Sequence, residues 1–284
     1  MAKQKTIAKE IVFSGKGLHT GNLAEVKLKP ALPNTGIKFV RVDVGKKPVV
    51  IPANYRNVKD VKRGTTLGID NVVVCTVEHI LSALHGLEID NIEIELNNNE
   101  LPIFDGSAIE FVKYILKAEI VEQNCERKYI VIKEPIIYSG SNNLTEIKAY
   151  PSDKLVIDCS IQYDHPIVNK QEYCFVFNTE NFINLIAPSK TFCFDFEIET
   201  IRKKGLAKGG GLENTIVIGL DKIHNENKLK FKDEFVRHKI LDFLGDIYLL
   251  GYQLKAHIIA VRTGHQHNIN FAKKIAERNL LKNE

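Results

Sequence analysis

Val77-Glu78-His79 and Val236-Arg237-His238 put a histidine two places behind a valine at two points in the chain. Behind each histidine come an apolar helical pattern, a short strand pattern, a glycine and a second helical pattern. The spacing from histidine to glycine is 27 residues in the first case (Gly106) and 26 in the second (Gly264). One structural unit used twice would set the two imidazoles across a pseudo-symmetric interface, a natural place for one metal ion. Asp242 follows His238 by four residues. Residues at that separation are neighbours on a helix face, with Cβ atoms roughly 6 Å apart, so both can reach one ion. An isolated His-x3-Asp pair reads equally well as a surface ion pair; the matching place of His79 is what favours a metal. Two histidines and one carboxylate leave a tetrahedral zinc ion one open position for water.

Glu78 adjoins His79. Successive helix residues point about 100° apart, so the two cannot bind an ion in the same way. One can be a ligand while the other reaches water as a general base; the plainer alternative is a carboxylate favoured at a helix N-terminus. Asp246 lies four residues beyond Asp242, so His238, Asp242 and Asp246 form a polar stripe through the apolar set Ile240, Leu241, Phe243, Leu244 and Ile247. Buried carboxylates need partners, and His265, expected in the turn of the same half, suits Asp246. An imidazole held by a carboxylate stays protonated near neutrality and can serve as general acid or oxyanion stabiliser. Lys239 and Arg262 add cations that would suit an anionic, phosphate-bearing substrate, although solvated surface charge is the simpler reading of each. The loop Gly15–Gly21 is rich in glycine but fits no phosphate-loop register.

These residues require elements to hold them. Glu10–Gly15 resembles Pro135–Gly140, and Ala24–Pro30 resembles Thr145–Pro151; all alternate apolar and polar residues with the period of a strand. The repeat therefore starts upstream of the histidines. Its boundary is placed in the polar stretch 124–128, giving residues 1–125, with an insert near 40–74, and residues 126–284, with a βαβ insert near 190–222. Helices are expected over 76–87, with Thr76 as N-cap, from Asp105-Gly106-Ser107 to about 117, over 234–250, and over 268–280 ahead of a charged tail, Lys282–Glu284. Strands are expected over 91–96, 256–261 and 214–219. Sheets backed by helices on one face give an α+β fold, and two such halves can stack helix layer on helix layer. In the second insert Phe192, Phe194 and Phe196 alternate and are expected on one face. With the joint Gly209–Gly211 they could serve an apolar ligand channel; a satellite hydrophobic cluster explains them as well.

Composition sets outer limits. A net charge of +4 spread along the chain gives no argument for a nucleic-acid partner. Five scattered cysteines without a C-x-x-C pair argue against disulfides or a cysteine zinc site. Residues 1–7 lack the apolar core of a signal peptide, and no apolar run of about 18 residues occurs. A reducing cytoplasm is the expected setting.

Together the motifs resemble the UDP-3-O-acyl-N-acetylglucosamine deacetylases, zinc enzymes of lipid A synthesis. The resemblance rests on Gly17-Leu18-His19-Thr20-Gly21, on 76–84 around Glu78-His79, on Pro102–Ser107, on Thr191–Phe194, on 237–246, and on Gly264-His265. It covers essentially the whole chain. It implies two similar α+β domains with the helix layers sandwiched between the sheets, and zinc (iron(II) as the cellular alternative) on His79, His238 and Asp242. It implies Glu78 as general base and His265, supported by Asp246, as the protonated partner. Thr191 would bond the oxyanion, and Lys239 would meet the UDP phosphates. Leu18 and Arg262 are expected to bind substrate, and Phe192 and Glu197 to border the sugar and nucleotide. The acyl passage would involve Phe194, Ile198, Ala207, Gly210 and Val217. The resemblance also implies an acidic and then an aromatic residue near the uracil, where this chain has Ser160-Ile161.

The implied reaction is hydrolytic release of acetate from a UDP-linked, 3-O-acylated N-acetylglucosamine, leaving a free 2-amine. A monomer in transient contact with the inner-membrane surface is expected. The competing reading is a non-enzymatic lipid- or nucleotide-binding protein with a structural metal. Ligand count separates the two: a structural site closes with four protein ligands, a catalytic one keeps a position open.

Overall fold

A computed structural model describes residues 2–141, 144–226 and 229–279. Two five-stranded sheets carry the same plan. The first runs, in spatial order, Ile11–Lys16, Leu23–Pro30, Ile92–Leu96, Ile37–Arg41, Val49–Pro52; the second runs Ile136–Ser139, Glu146–Tyr150, His257–Val261, Val156–Gln162, Lys170–Val176. In each, the third and fourth strands pair in parallel and the other neighbours are antiparallel. The sequence pairs that looked alike occupy equivalent first and second strands. Burial alternates along Ile92–Leu96 and His257–Val261, as required when one face meets a core and the other meets solvent.

Five helices matter to the site: α1 (Glu78–Gly86), α2 (Ile109–Lys117), α3 (Asp195–Lys203), α4 (Glu234–Ile247) and α5 (His265–Asn279). α1 packs along α4. α2 lies against α1 and the strand Ile11–Lys16, while α5 lies against α4 and the strand Ile136–Ser139. The helices thus form layers between the two sheets, as the sequence pattern predicts for an α+β molecule. Every residue of α1 is buried, because this helix has neighbours on all sides. Gly245 permits the close crossing of α1 and α4: a Cβ there would lie 2.1 Å from the Glu78 carbonyl oxygen.

The first insert, expected near 40–74, is shorter, because Val49–Pro52 belongs to the main sheet; it folds as a three-stranded antiparallel sheet, Val58–Asp60, Thr66–Ile69 and Val72–Val74. The second pairs Phe192–Phe194 in parallel with Ile216–Ile218 around α3. Among the described residues no helix is long and apolar enough to cross a membrane.

Several local expectations need correction. Thr76 is not the N-cap of α1; it has φ 58° and donates its hydroxyl to Glu100 Oε1 at 3.0 Å, and the helix begins two residues later. His265 opens α5 instead of sitting in a turn, so that helix starts three residues earlier than its apolar pattern suggests. Its expected end at Leu280 and the tail Lys282–Glu284 lie outside the described residues. The long helix stops at Ile247 and tightens into a 3-10 turn, Tyr248–Leu250, ended by Gly251 at φ 79°. The three phenylalanines do not share a face. The strand ends at Phe194, which is 7% exposed, whereas Phe196 falls in the first turn of α3 and is 71% exposed.

Candidate metal centre and cavity

α1 and α4 carry the chemical groups. His79, His238 and Asp242 are buried, and one ligand atom from each lies within 4.8 Å of the others. His238 Nε2 is 3.3 Å from Asp242 Oδ1, and His79 Nε2 is 3.9 Å from the same oxygen. The rings meet edge to face with centroids 5.2 Å apart. His238 donates through Nδ1 to the Ser189 carbonyl at 3.1 Å, which leaves the Nε2 lone pair for an ion. Burial pushes His238 down to about 3 and His79 down as well, so both imidazoles are neutral, the form that ligation needs. Burial opposes the charge of Asp242, yet His238, Lys239, His265 and His79 around it hold its carboxyl well below the usual range. Two neutral imidazoles and one anionic oxygen fit a borderline-soft dication such as zinc.

Glu78 is buried in the first turn of α1 and accepts from the Thr65 amide at 2.9 Å. Burial, aided by Asp246 and Asp242, pushes its carboxyl up to about 7 against the opposing effect of His265. His265 donates through Nδ1 to Asp246 Oδ2 at 2.8 Å, and its Nε2 stands 4.0 Å from Asp242 Oδ2. Burial disfavours its charge, but the carboxylates of Asp246 and Asp242 outweigh burial and raise it to about 10. One carboxyl near neutrality therefore faces one imidazolium, the pairing expected of a base and an acid held apart by environment.

A cavity of about 640 Å³ opens on this group. Its wall includes Glu78, His79, Thr191, His238, Asp242 and His265, together with the smaller or apolar Leu18, Phe192, Ile198, Ala207, Gly210 and Val217. The Gly17–Gly21 loop, a weak signal in sequence, earns its glycines through contact with the second insert. Gly209 donates to the Leu18 carbonyl and Lys208 to that of His19, at 3.0 and 3.1 Å, and a Cβ on Gly209 would lie 2.2 Å from the Gly17 oxygen.

The remaining expected residues differ in their placement. Lys239 lines the cavity but turns its ammonium to Asp242 Oδ2 at 2.8 Å. Asp246 is fully buried behind His265. Phe194 packs away from the cavity wall against Tyr163, His165 and Phe196. Glu197 pairs with Arg63 at 2.6 Å. Arg262, at φ 49°, stands outside the cavity lining and donates to Gln162 Oε1 at 2.7 Å. Ile161 is buried in the core and offers no surface on which a base could stack.

Two residues escaped sequence reasoning. The Glu100 carboxylate accepts from the His19 and Thr20 amides and from the hydroxyls of Thr20 and Thr76, at 2.7–3.0 Å. Thr65 touches both Glu78 and Asp246. Each lies in a segment without helical or strand periodicity that could have flagged it.

A duplicated α+β frame that brings two imidazoles, one ligand carboxylate and a second carboxylate to a single cleft defines the class of hydrolytic metal sites. The family described as UDP-3-O-acyl N-acetylglycosamine deacetylase matches residues 4–277, and the chain belongs to it. Among relatives named UDP-3-O-acyl-N-acetylglucosamine deacetylase, that of Thermodesulfovibrio yellowstonii is 42% identical over 98% of this chain and 93% of its own. That of Aquifex aeolicus is 42% identical over 99% and 95%, and that of Saccharophagus degradans is 45% identical over 94% and 88%.

Proposed function

We propose that this chain hydrolyses the N-acetyl group of a UDP-linked, 3-O-acylated N-acetylglucosamine, releasing acetate and a free 2-amine for lipid A synthesis. The observation that carries the reading is the juxtaposition of the His79–His238–Asp242 cluster, Glu78 and His265 on one cavity with an apolar wall. His79, His238 and Asp242 would hold the ion, zinc or in the cell iron(II). What such an ion supplies when bound is Lewis acidity, which polarises a carbonyl and acidifies water toward neutral pH. Glu78 takes the proton of the attacking water as its oxygen adds to the acetamide carbonyl. The Thr191 hydroxyl donates to the oxygen on which charge develops. His265 delivers its proton to the nitrogen as the C–N bond breaks, so acetate and amine leave together.

Leu18, Ile198, Gly210 and their neighbours would take the acyl chain, which is apolar and needs a wall of that character. Phe194 would add to the acyl passage, Phe192 and Glu197 would border sugar and nucleotide, and Lys239 and Arg262 would meet phosphate. The matching strand orders support a division into repeats of residues 1–125 and 126–284. A monomer acting in the cytoplasm, in transient contact with the inner-membrane surface, fits a substrate with one lipid arm. Purified protein incubated with the UDP sugar should release acetate, read by mass spectrometry as loss of one acetyl group. A protein that retains the substrate unchanged over many hours with zinc present would refute the reading.

A further inference from the structure

Thr65 lies between the first two strands of the first insert, two residues after Arg63, which lines the cavity. Its three polar groups are all committed. The carbonyl accepts from the Val77 amide at 3.1 Å, just before α1. The amide donates to Glu78 Oε2 at 2.9 Å, and the hydroxyl donates to Asp246 Oδ1 at 2.5 Å. The residue is fully buried. A hydroxyl has one proton, and an ionised carboxylate can only accept, so the proton is spent on Asp246. The 3.3 Å approach of Thr65 Oγ1 to His265 Nδ1 then leaves that ring nitrogen donating to Asp246 Oδ2. Asn268 Nδ2 donates to the same oxygen at 2.8 Å. Asp246 is thus satisfied on both oxygens, and its plane is set by three donors, of which Thr65 alone comes from the other half of the molecule.

We propose that Thr65 is the positioning residue that registers the base against the acid. This inference rests on the functional reading above. Its amide fixes the Glu78 carboxylate on α1, and its hydroxyl fixes Asp246 on α4 and, through it, the direction of His265 Nε2. One residue, through its backbone amide and its hydroxyl, spans both helices, so the separation of proton acceptor and proton donor depends on it. The backbone is shaped for this approach: Arg63 has φ 62°, and a Cβ on Gly64 would lie 3.0 Å from Glu78 Oε1.

The test compares Thr65→Val, which keeps the shape and removes the hydroxyl, with Thr65→Ser, which keeps the hydroxyl. Partners that orient an active group commonly change activity by about 10–100-fold. T65V should lose kcat by that factor with KM nearly unchanged, and T65S should stay within about threefold of wild type. T65V with wild-type kcat, or a loss confined to KM, overturns the proposal, as does a T65S as slow as T65V. If T65V fails to fold, Thr65→Ala removes the same hydroxyl and is judged by the same split. A second readout needs no turnover: the downfield proton resonance of His265 Nδ1, bonded to Asp246, should shift in T65V and hold in T65S. A wild-type chain that released no acetate would count against the functional reading, while this resonance would still decide the role of Thr65; an unmoved resonance in T65V overturns it.

Discussion

At the scale of single residues, Glu78 and His265 differ because their surroundings differ. Burial lifts the Glu78 carboxyl to about 7, and the Asp246 and Asp242 carboxylates lift His265 to about 10. In the proposed roles the base is competent once ionised and the acid while protonated, so kcat/KM should climb as pH approaches 7 and fall as it nears 10. A bound dication favours ionised Glu78 and moves the acid limb lower. Replacing Asp246 by Asn removes the charge that holds the imidazolium. The alkaline limb of the pH–rate profile should then move to lower pH; a limb that stays in place would assign it to another group. Glu78→Gln should lower kcat by about 10²–10⁴-fold, the usual contribution of a general base, with the metal content of the protein unchanged. Near wild-type turnover in that variant would remove Glu78 from the base role.

At the scale of elements, the crossing of α1 and α4 decides the geometry. Alanine in place of a helical glycine ordinarily gains about 1 kcal/mol. At Gly245 the added Cβ would meet the backbone carbonyl of Glu78, and overpacking of that kind costs roughly 1–3 kcal/mol. Collision outweighs propensity, so Gly245→Ala should lower the thermal midpoint and displace Glu78, reducing turnover as well; a raised midpoint would show that the helices can part. His85, later on α1, donates through Nδ1 to the Leu244 carbonyl at 2.9 Å and stacks on Tyr248. Burial pushes it down to about 4, so the folded state holds it neutral while the unfolded chain binds a proton below about 6.5. Its stabilisation is complete above that value and is lost as pH falls from 6.5 to 4, by roughly 3 kcal/mol in total. Urea midpoints measured across that window should fall less steeply in His85→Gln than in wild type. The apolar stripe of α1 was legible because period 3.6 survives even in a helix that is buried all round. The N-cap was not, since Thr76 serves Glu100, a partner 24 residues away.

At the scale of the molecule, the duplication was legible: alternating strands, similar segments and two similarly spaced histidines all report local geometry, which sequence carries directly. The clustering of His79, His238 and Asp242 was also legible, because His238 and Asp242 share a helix face and His79 has the matching place in the other repeat. Contacts between the halves were hidden. Nothing in the first insert marks Thr65 as the partner of Asp246, 181 residues on, and nothing in Phe192–Phe196 announces that a helix starts inside it. Nor does the sequence show that Arg262 donates to Gln162, a residue 100 positions earlier. We propose that hydrolysis depends on one metal ion held jointly by α1 and α4. This dependence is tested most directly by metal analysis of the stripped and reloaded protein alongside acetate release, in wild type, His79→Ala and His238→Ala. One zinc per wild-type chain is the expected result, with activity lost on stripping and regained with the ion, and with both metal and activity lost in either variant. Full acetate release by the metal-free chain, or tight zinc retention after loss of either histidine, would contradict it.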